Sequence, residues 1–564
     1  MDNFFRLGLV LTFLGVCGAR ASGAGERRRM DSDMASHLID VTDFNRHLKI
    51  LASDQFDGRM PGTKGEDLTV NYVIKEFKKI GLAPGNPNGQ FTQEVPLEGA
   101  KSEYVASATA IANDVTTSFI PNKNMVATSH RLVSEVNIQN SQMVFVGYGV
   151  IAPEYNWDDY KSIDMTGKTL VMLVGDPPIP DPADPTRLDD KMFKGKAMTY
   201  YGRWTYKYEI GAKLGAAAVI IIHETGSAGY PFEVLVSSNG RENFDIISSD
   251  RNMSRAAVEA WITNDKAQEL LKVSNLDLAA LKAQAIQKDF KPITLKSNFN
   301  VQLKRLDRHK INSRNIVAKL KGSDPKLRSR VLIYSAHWDH LGSDSQLTGD
   351  KIYNGALDNA SGVSALLGIA KAFKKFKPKS TILFLVPTAE EKGLLGAKYY
   401  AENPLYPLAQ TLADINIDSV NPWGRTRDIE IKGEGHSNLE DRVIALAHAQ
   451  NRTVVPENSP EKGSYYRSDH FEFAKVGVPA LMMGSGVDVI GKPSGYGRKK
   501  LDDYVANHYH KVSDEIKSDW DFSGGIEDLQ LLFQLGADVA DEPAIPTWKP
   551  GTEFEEKRQA TFAK

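Results

Sequence analysis

The chain has 564 residues, with 69 Lys plus Arg against 71 Asp plus Glu and a single cysteine, Cys17. That length exceeds what one hydrophobic core ordinarily serves, so two or more domains are expected. The near balance of charge gives no global field suited to nucleic acid or an anionic membrane, and one cysteine excludes a disulfide framework and a cysteine-ligated zinc.

The N-terminal stretch LGLVLTFLGVCGA, residues 7–19, is an apolar run behind Arg6 and ahead of small residues and the basic triplet Arg27-Arg28-Arg29. It is too short to span a bilayer and fits the hydrophobic core of a secretory signal, with residues 1–24 removed. A buried core segment is the plainer alternative. Cleavage leaves a secreted or periplasmic protein with no cysteine and no transmembrane segment. Lipoprotein anchoring through Cys17 is disfavoured, because Val16 is a poor residue for that processing.

Residues 36–124 open with a helical layer. Over 66–80, Leu68, Tyr72, Val73, Phe77 and Ile80 fall on one face, and Gly81 is placed to close the helix. Residues 125–295 differ in texture. They offer short β-rich runs at 143–148, 169–174 and 217–222, a Pro/Asp-rich loop at 177–185 and a Gly-rich loop at 226–230, with no clustered histidines. This block reads as a separate β-rich module. Alternating α/β pattern resumes near residue 305 and continues to 541, and the polar tail after Pro543 is expected to fray. No internal repeat is visible.

The chemistry concentrates between Arg330 and Asp418. Val331 to Ser335 is a short apolar run expected as a buried strand, and His337 and Asp339 follow its carboxyl end, where open α/β sheets bind ligands. Asp358 or Asn359 is placed to cap a helix whose apolar face is Val363, Leu366, Leu367, Ala370 and Phe373. A second buried strand, Thr381 to Val386, leads to the pair Glu390-Glu391, and a third, 412–417, ends at Asp418. Two divalent cations ~3.5–4 Å apart need a shared anionic bridge and about two further ligands each. His337, Asp358 and Asp418 supply one set; Asp358, Glu391 and a further histidine supply the other. Asp339 is spaced to take the second N–H of His337, and Glu390 to act as general base toward a bridging water. His510, in NHYHKVSDE, is the best remaining histidine, with His508 its rival and Asp514 four residues on. His470, beside Phe471 and Phe473, has the surroundings of a packed structural residue. Taken singly, an HxD is common by chance and a Glu-Glu pair is ordinarily a solvated helix start.

Together, HWD, GALDNASG, TAEEKGLLG, NID and YHKVSD resemble the secreted bacterial two-zinc aminopeptidases, a family that also includes glutamate carboxypeptidase and the non-peptidase transferrin receptor. The resemblance covers about residues 38–115 and 305–540. It implies an α/β fold with a mixed sheet flanked by helices, two Zn2+ per chain, and His337, Asp358, Glu391, Asp418 and His510 as ligands with Asp358 bridging. Glu390 matches the base, Asp339 the partner of a ligand, and the Asp358–Asn359 bond falls where the family has a cis peptide. Tyr465 resembles a hydroxyl donor toward the tetrahedral oxyanion, although Tyr466 adjoins it. Residues 125–295 look like an inserted protease-associated domain, carried by KLGAAAVIIIHETG, GRWTYKYE and KTLVMLVGDPP.

The resulting expectation is an aminopeptidase acting on peptides. A glutamate carboxypeptidase-type enzyme would need grouped arginines for a terminal carboxylate, with Arg425, Arg427 and Arg467 available. A glutaminyl cyclase-like enzyme would use one zinc, and a binding protein on the same fold would have lost ligands. Preferred substrate residue and oligomeric state are not legible.

Overall fold

The computed structural model describes residues 26–562 except 113, 240 and 241. The expected signal segment, 1–24, lies outside them. The strand Val331–Ser335 is buried at every position, as a strand with helices over both faces must be. It pairs in parallel with Thr381–Val386 on one side and Thr411–Asn416 on the other, and Thr411–Asn416 pairs in parallel with Ala480–Gly484. Antiparallel partners flank this centre: the end of Ile293–Leu320 lies against Thr381–Val386, and Asp428–Ile431 against Ala480–Gly484. The sheet is therefore mixed, and the carboxyl ends of its parallel strands share one edge.

The helix Ser361–Phe376 covers one face together with Val41–Leu51, Lys64–Ile80 and Ser523–Asp541. Lys64–Ile80 starts two residues before the apolar window and closes on Gly81, at φ 82°, a left-handed conformation that glycine adopts without a Cβ clash. Phe373 meets Phe533 at 4.7 Å between ring centroids, and the Tyr334 hydroxyl donates to Leu532 O at 2.7 Å. A Cβ on Gly536 would fall 1.9 Å from that hydroxyl, so the close approach of helix to strand depends on glycine there. The N-terminal end is tied to the same layer, since Arg28 Nε donates to Asp541 Oδ2 at 2.7 Å and its guanidinium lies 4.1 Å from the Phe376 ring centroid.

A second core is built on the parallel strands Thr169–Leu173, Ala218–Ile222 and Val258–Ile262. Ala108, Ala110 and Phe119 belong to this core as well. The 28-residue strand Ile293–Leu320 runs between the two cores, placing Leu295, Phe299 and Leu303 in one and Ile316 and Ala318 in the other. Among the described residues no helix is long and apolar enough to cross a membrane.

The tail does not fray. Trp548, Phe554 and Arg558 are all buried; the Trp548 indole donates to Gly477 O at 2.8 Å, and Arg558 Nη2 donates to Thr411 O at 2.8 Å. The polar composition after Pro543 concealed two aromatic anchors, which meet at 5.0 Å. Trp548→Ala should cost roughly 3–5 kcal/mol, as emptying a large aromatic site typically does. Denaturant melting checks this, and a midpoint equal to wild type would show the tail to be ornamental.

Candidate metal centre

Each central parallel strand ends in a loop that carries an acid or an imidazole. The loop after Val331–Ser335 is anchored by Trp338, fully buried, whose Nε1 donates to Arg314 O at 3.0 Å and whose backbone N–H donates to Pro387 O at 3.0 Å. On either side of that anchor stand His337 and Asp339, both buried. His337 Nε2 lies 3.4 Å from Asp358 Oδ1 and 3.5 Å from Asp418 Oδ1. The other oxygen of Asp358 lies 3.2 Å from His510 Nε2, which is 3.0 Å from Glu391 Oε2. One carboxylate thus faces two imidazoles, one with each oxygen.

The loops are cross-tied behind these atoms. The Asp358–Asn359 peptide is cis. Asn359 accepts from Gly362 N at 2.9 Å and Ser419 N at 3.1 Å and donates to Ile417 O at 3.0 Å, joining the Asp358 loop to the strand end that bears Asp418. Of the two residues expected to cap the helix Ser361–Phe376, Asn359 therefore makes the contact and Asp358 is left to face the imidazoles. Asp514 accepts from Leu357 N at 3.2 Å and Asp358 N at 3.1 Å, so the segment after His510 is tied to the same loop. Ser468 donates to Asp418 Oδ2 at 2.7 Å while accepting from Asn416 Nδ2 at 2.7 Å.

Asp339 is used differently from the expectation. Its carboxylate accepts from the backbone N–H groups of Glu390 and Glu391 at 3.0 and 3.3 Å, while His337 Nδ1 sits 3.2 Å from the Asp339 carbonyl oxygen and 3.8 Å from its carboxylate. The two amides of the glutamate turn occupy the carboxylate, leaving the main-chain oxygen nearest the ring. His340 was not singled out in the sequence, although it completes the run HWDH. It is fully buried with Nδ1 2.6 Å from Glu391 Oε1.

Of the remaining histidines, His510 reaches the cluster, and Tyr509 stacks on its ring at 3.8 Å. His508 turns to Ser513 Oγ at 2.9 Å. His470 is fully buried beside Tyr465, 4.6 Å between ring centroids, and burial lowers its pKa to about 3. Tyr465 donates to Ala480 O at 3.2 Å and stacks on His436 at 4.4 Å, and Tyr466 donates to Glu553 at 3.0 Å. Both hydroxyls are committed to the interior, so the oxyanion role expected of Tyr465 finds no support in its placement.

The neighbouring glutamates are pushed in opposite directions. Burial holds the Glu390 carboxyl well above the usual range, with Asp418 and Glu391 adding to it against the pull of His337. Burial and Asp358 act on Glu391 in the same sense, yet His510 and His340 outweigh them and hold it at about 2. A pair separated in this way suits one member to carry a proton and the other to remain an anion.

Two sets of donor atoms lie within 4.8 Å of one another: His337, Asp358 and Asp418 in one, His340, Asp358 and Glu391 in the other. His337 Nε2 is buried and has no hydrogen-bond partner among the described residues. An orphaned imidazole nitrogen facing two carboxylate oxygens at 3.4 and 3.5 Å fits a cation between them; imidazole and carboxylate donors suit zinc.

Residues 315–534, which carry all of these groups, match Peptidase family M28. The chain is 40% identical over 111 residues to a probable zinc metalloprotease of Pyrenophora tritici-repentis, covering 20% of this chain and 25% of that protein. It is 28% identical over 241 residues to aminopeptidase Y of Saccharomyces cerevisiae, covering 41% of this chain and 40% of the yeast protein. The chain thus spans about a quarter to two-fifths of the length of these curated relatives. Among solved structures, the aminopeptidase from Aneurinibacillus sp. strain AM-1 aligns with a TM-score of 0.49 and 18% identity, over 91% of this chain and 97% of that one.

Proposed function

We propose that the protein is a two-zinc aminopeptidase that releases N-terminal residues from peptides. The observation that carries this reading is the division of Asp358 between His337, at 3.4 Å, and His510, at 3.2 Å. His337, Asp358 and Asp418 would hold one ion, and Asp358, Glu391 and His510 the other, with His340 orienting Glu391. Bound there, zinc supplies Lewis-acid activation of water and of the scissile carbonyl.

The chain's own residues do the rest. Glu390 lies outside both three-donor sets, with Oε2 3.9 Å from His337 Nε2, close enough to take a proton from the attacking water and later deliver it to the leaving amine. Its raised pKa suits it to hold that proton between the two steps. Asp339 fixes the turn bearing both glutamates through two amide hydrogen bonds. The substrate's free α-amine would be received by carboxylates of the same cluster. Residues 125–295 are proposed to be a protease-associated module that restricts access, and secretion is proposed on the apolar run at 7–19.

The carboxypeptidase reading loses support, because Arg425 pairs with Glu527 at 2.6 Å, Arg427 with Asp488 at 3.1 Å, and Arg467 donates to Lys462 O at 2.8 Å, so each of the three already has a partner. Two measurements test the proposal together. Elemental analysis of desalted active protein should find close to two zincs per chain, and a peptide with a free amine should be cleaved where its N-acetylated form is not. One zinc at full activity, or equal turnover of both peptides, would refute it.

A further inference from the structure

We propose that Arg59 is a positioning residue of the metal centre, setting the distance between the loop that carries His337 and the loop that carries Asp358. The inference rests on the two-zinc reading above. The Arg59 side chain is only 1% exposed, and its guanidinium donates to four main-chain carbonyls: Nε to Trp338 O at 2.9 Å, Nη1 to Leu51 O at 2.8 Å and Asn354 O at 2.6 Å, and Nη2 to Gly355 O at 2.9 Å. Trp338 stands between His337 and Asp339. Gly355 is three residues before Asp358. A single planar group therefore spans the two loops whose separation decides whether His337 Nε2 and Asp358 Oδ1 stand 3.4 Å apart.

The backbone adds to the hold. Arg59 sits at φ 51° and Gly58 at φ 60°; His340 N donates to Arg59 O at 3.3 Å and Gly342 N to Gly58 O at 2.9 Å. A Cβ at Gly58 would lie 2.2 Å from Gly342 O. The loop after the first central strand is thus gripped by the main chain of residues 58–59 and by the side chain of Arg59 at once.

None of the four acceptors is a carboxylate. A buried guanidinium that gains no ion pair carries an uncompensated desolvation cost, so a hydrophobic side chain would serve mere packing better. What an apolar residue cannot supply is donors in several fixed in-plane directions, and lysine, with its donors at one point, cannot span these acceptors either. Burial lowers the Arg59 pKa to about 10 against the opposing pull of Asp358, Asp514, Asp339 and Glu391, so it remains a cation at neutral pH.

The test separates geometry from charge. A lost positive charge by itself would strengthen the binding of a dication, whereas a lost tie should weaken it. Zinc affinity is measured by chelator competition on the full chain for wild type, Arg59→Lys and Arg59→Gly, with kcat and KM alongside. Arg59→Lys keeps the charge but not the fork, and is expected to weaken zinc binding about 10–100-fold, the usual effect of losing a partner behind metal ligands, with kcat falling and KM held. Arg59→Gly is compatible with φ 51°, and methylguanidinium should restore part of its zinc affinity. Wild-type affinity and kcat in Arg59→Lys would overturn the inference. So would both variants staying unfolded in saturating zinc, which would make Arg59 a requirement of the fold. If wild type itself fails to bind two zincs, the two-zinc reading falls instead.

Discussion

Glu390→Gln should retain its zinc and bind substrate almost normally while kcat falls by ~10²–10⁴ or more, the range expected when a general base is removed. The amide is nearly isosteric with the acid, and Glu390 belongs to neither donor set. Its main-chain N–H would still donate to Asp339 at 3.0 Å, so the turn should not move. What disappears is a carboxylate that sits beside His337 Nε2 without belonging to a donor set, at 3.9 Å. Glu391→Gln provides the contrast, for it places a neutral amide between His340 and His510 and should release one zinc. Metal analysis and steady-state kinetics on the two variants read this directly. A Glu390→Gln protein that loses zinc while Glu391→Gln keeps it would reverse the assignment.

Asp358→Ala should be more damaging than loss of any other ligand, because its oxygens face His337 at 3.4 Å and His510 at 3.2 Å. Removing a ligand that serves one ion leaves the other with its own set. On the two-zinc reading, removing the shared carboxylate would take an anionic donor from both sites and weaken the offset to the repulsion between two dications. Zinc content should fall toward zero after desalting, against about one for Asp418→Ala, and activity should vanish. The backbone ties from Asp514 to Leu357 N and Asp358 N at 3.2 and 3.1 Å do not depend on the side chain, so the fold should persist by circular dichroism. Retention of one tightly held zinc in Asp358→Ala would show that the sites do not share it.

The central strands were readable because burial on both faces forces a continuous apolar run, as in Val331–Ser335 and Thr381–Val386. Acids directly following such runs were then placed at one sheet edge by topology alone. Groups that act through a distant partner were not readable. Arg59 meets Trp338 across 279 positions and Gly355 across 296, and nothing in DGRMPG distinguishes it from a surface arginine. His340 was passed over because its partner, Glu391, lies 51 positions away, and the expected partner of His337 proved to be a main-chain oxygen, which no side-chain pattern encodes. The direction of the Tyr465 hydroxyl depends on Ala480, and the anchoring of Trp548 on Gly477. In both cases the local sequence carries the donor and a remote segment carries the acceptor.

The pairing of Arg28 with Asp541, 513 positions apart, bears on when the protein can fold. Helices near the start pack on Ser361–Phe376, which in turn needs Phe533, and Arg558 closes on Thr411. Little of the layer that holds the metal-facing loops can therefore be completed while the chain is still emerging from the ribosome, and closing contacts of such wide sequence separation is slow. Hydrolytic competence should arrive only after Arg558 has left the ribosome and reached Thr411, so that the proposed peptidase exists as polypeptide before it exists as catalyst. Pulse-labelled nascent chains halted before residue 523 should accordingly remain protease-sensitive across residues 331–418.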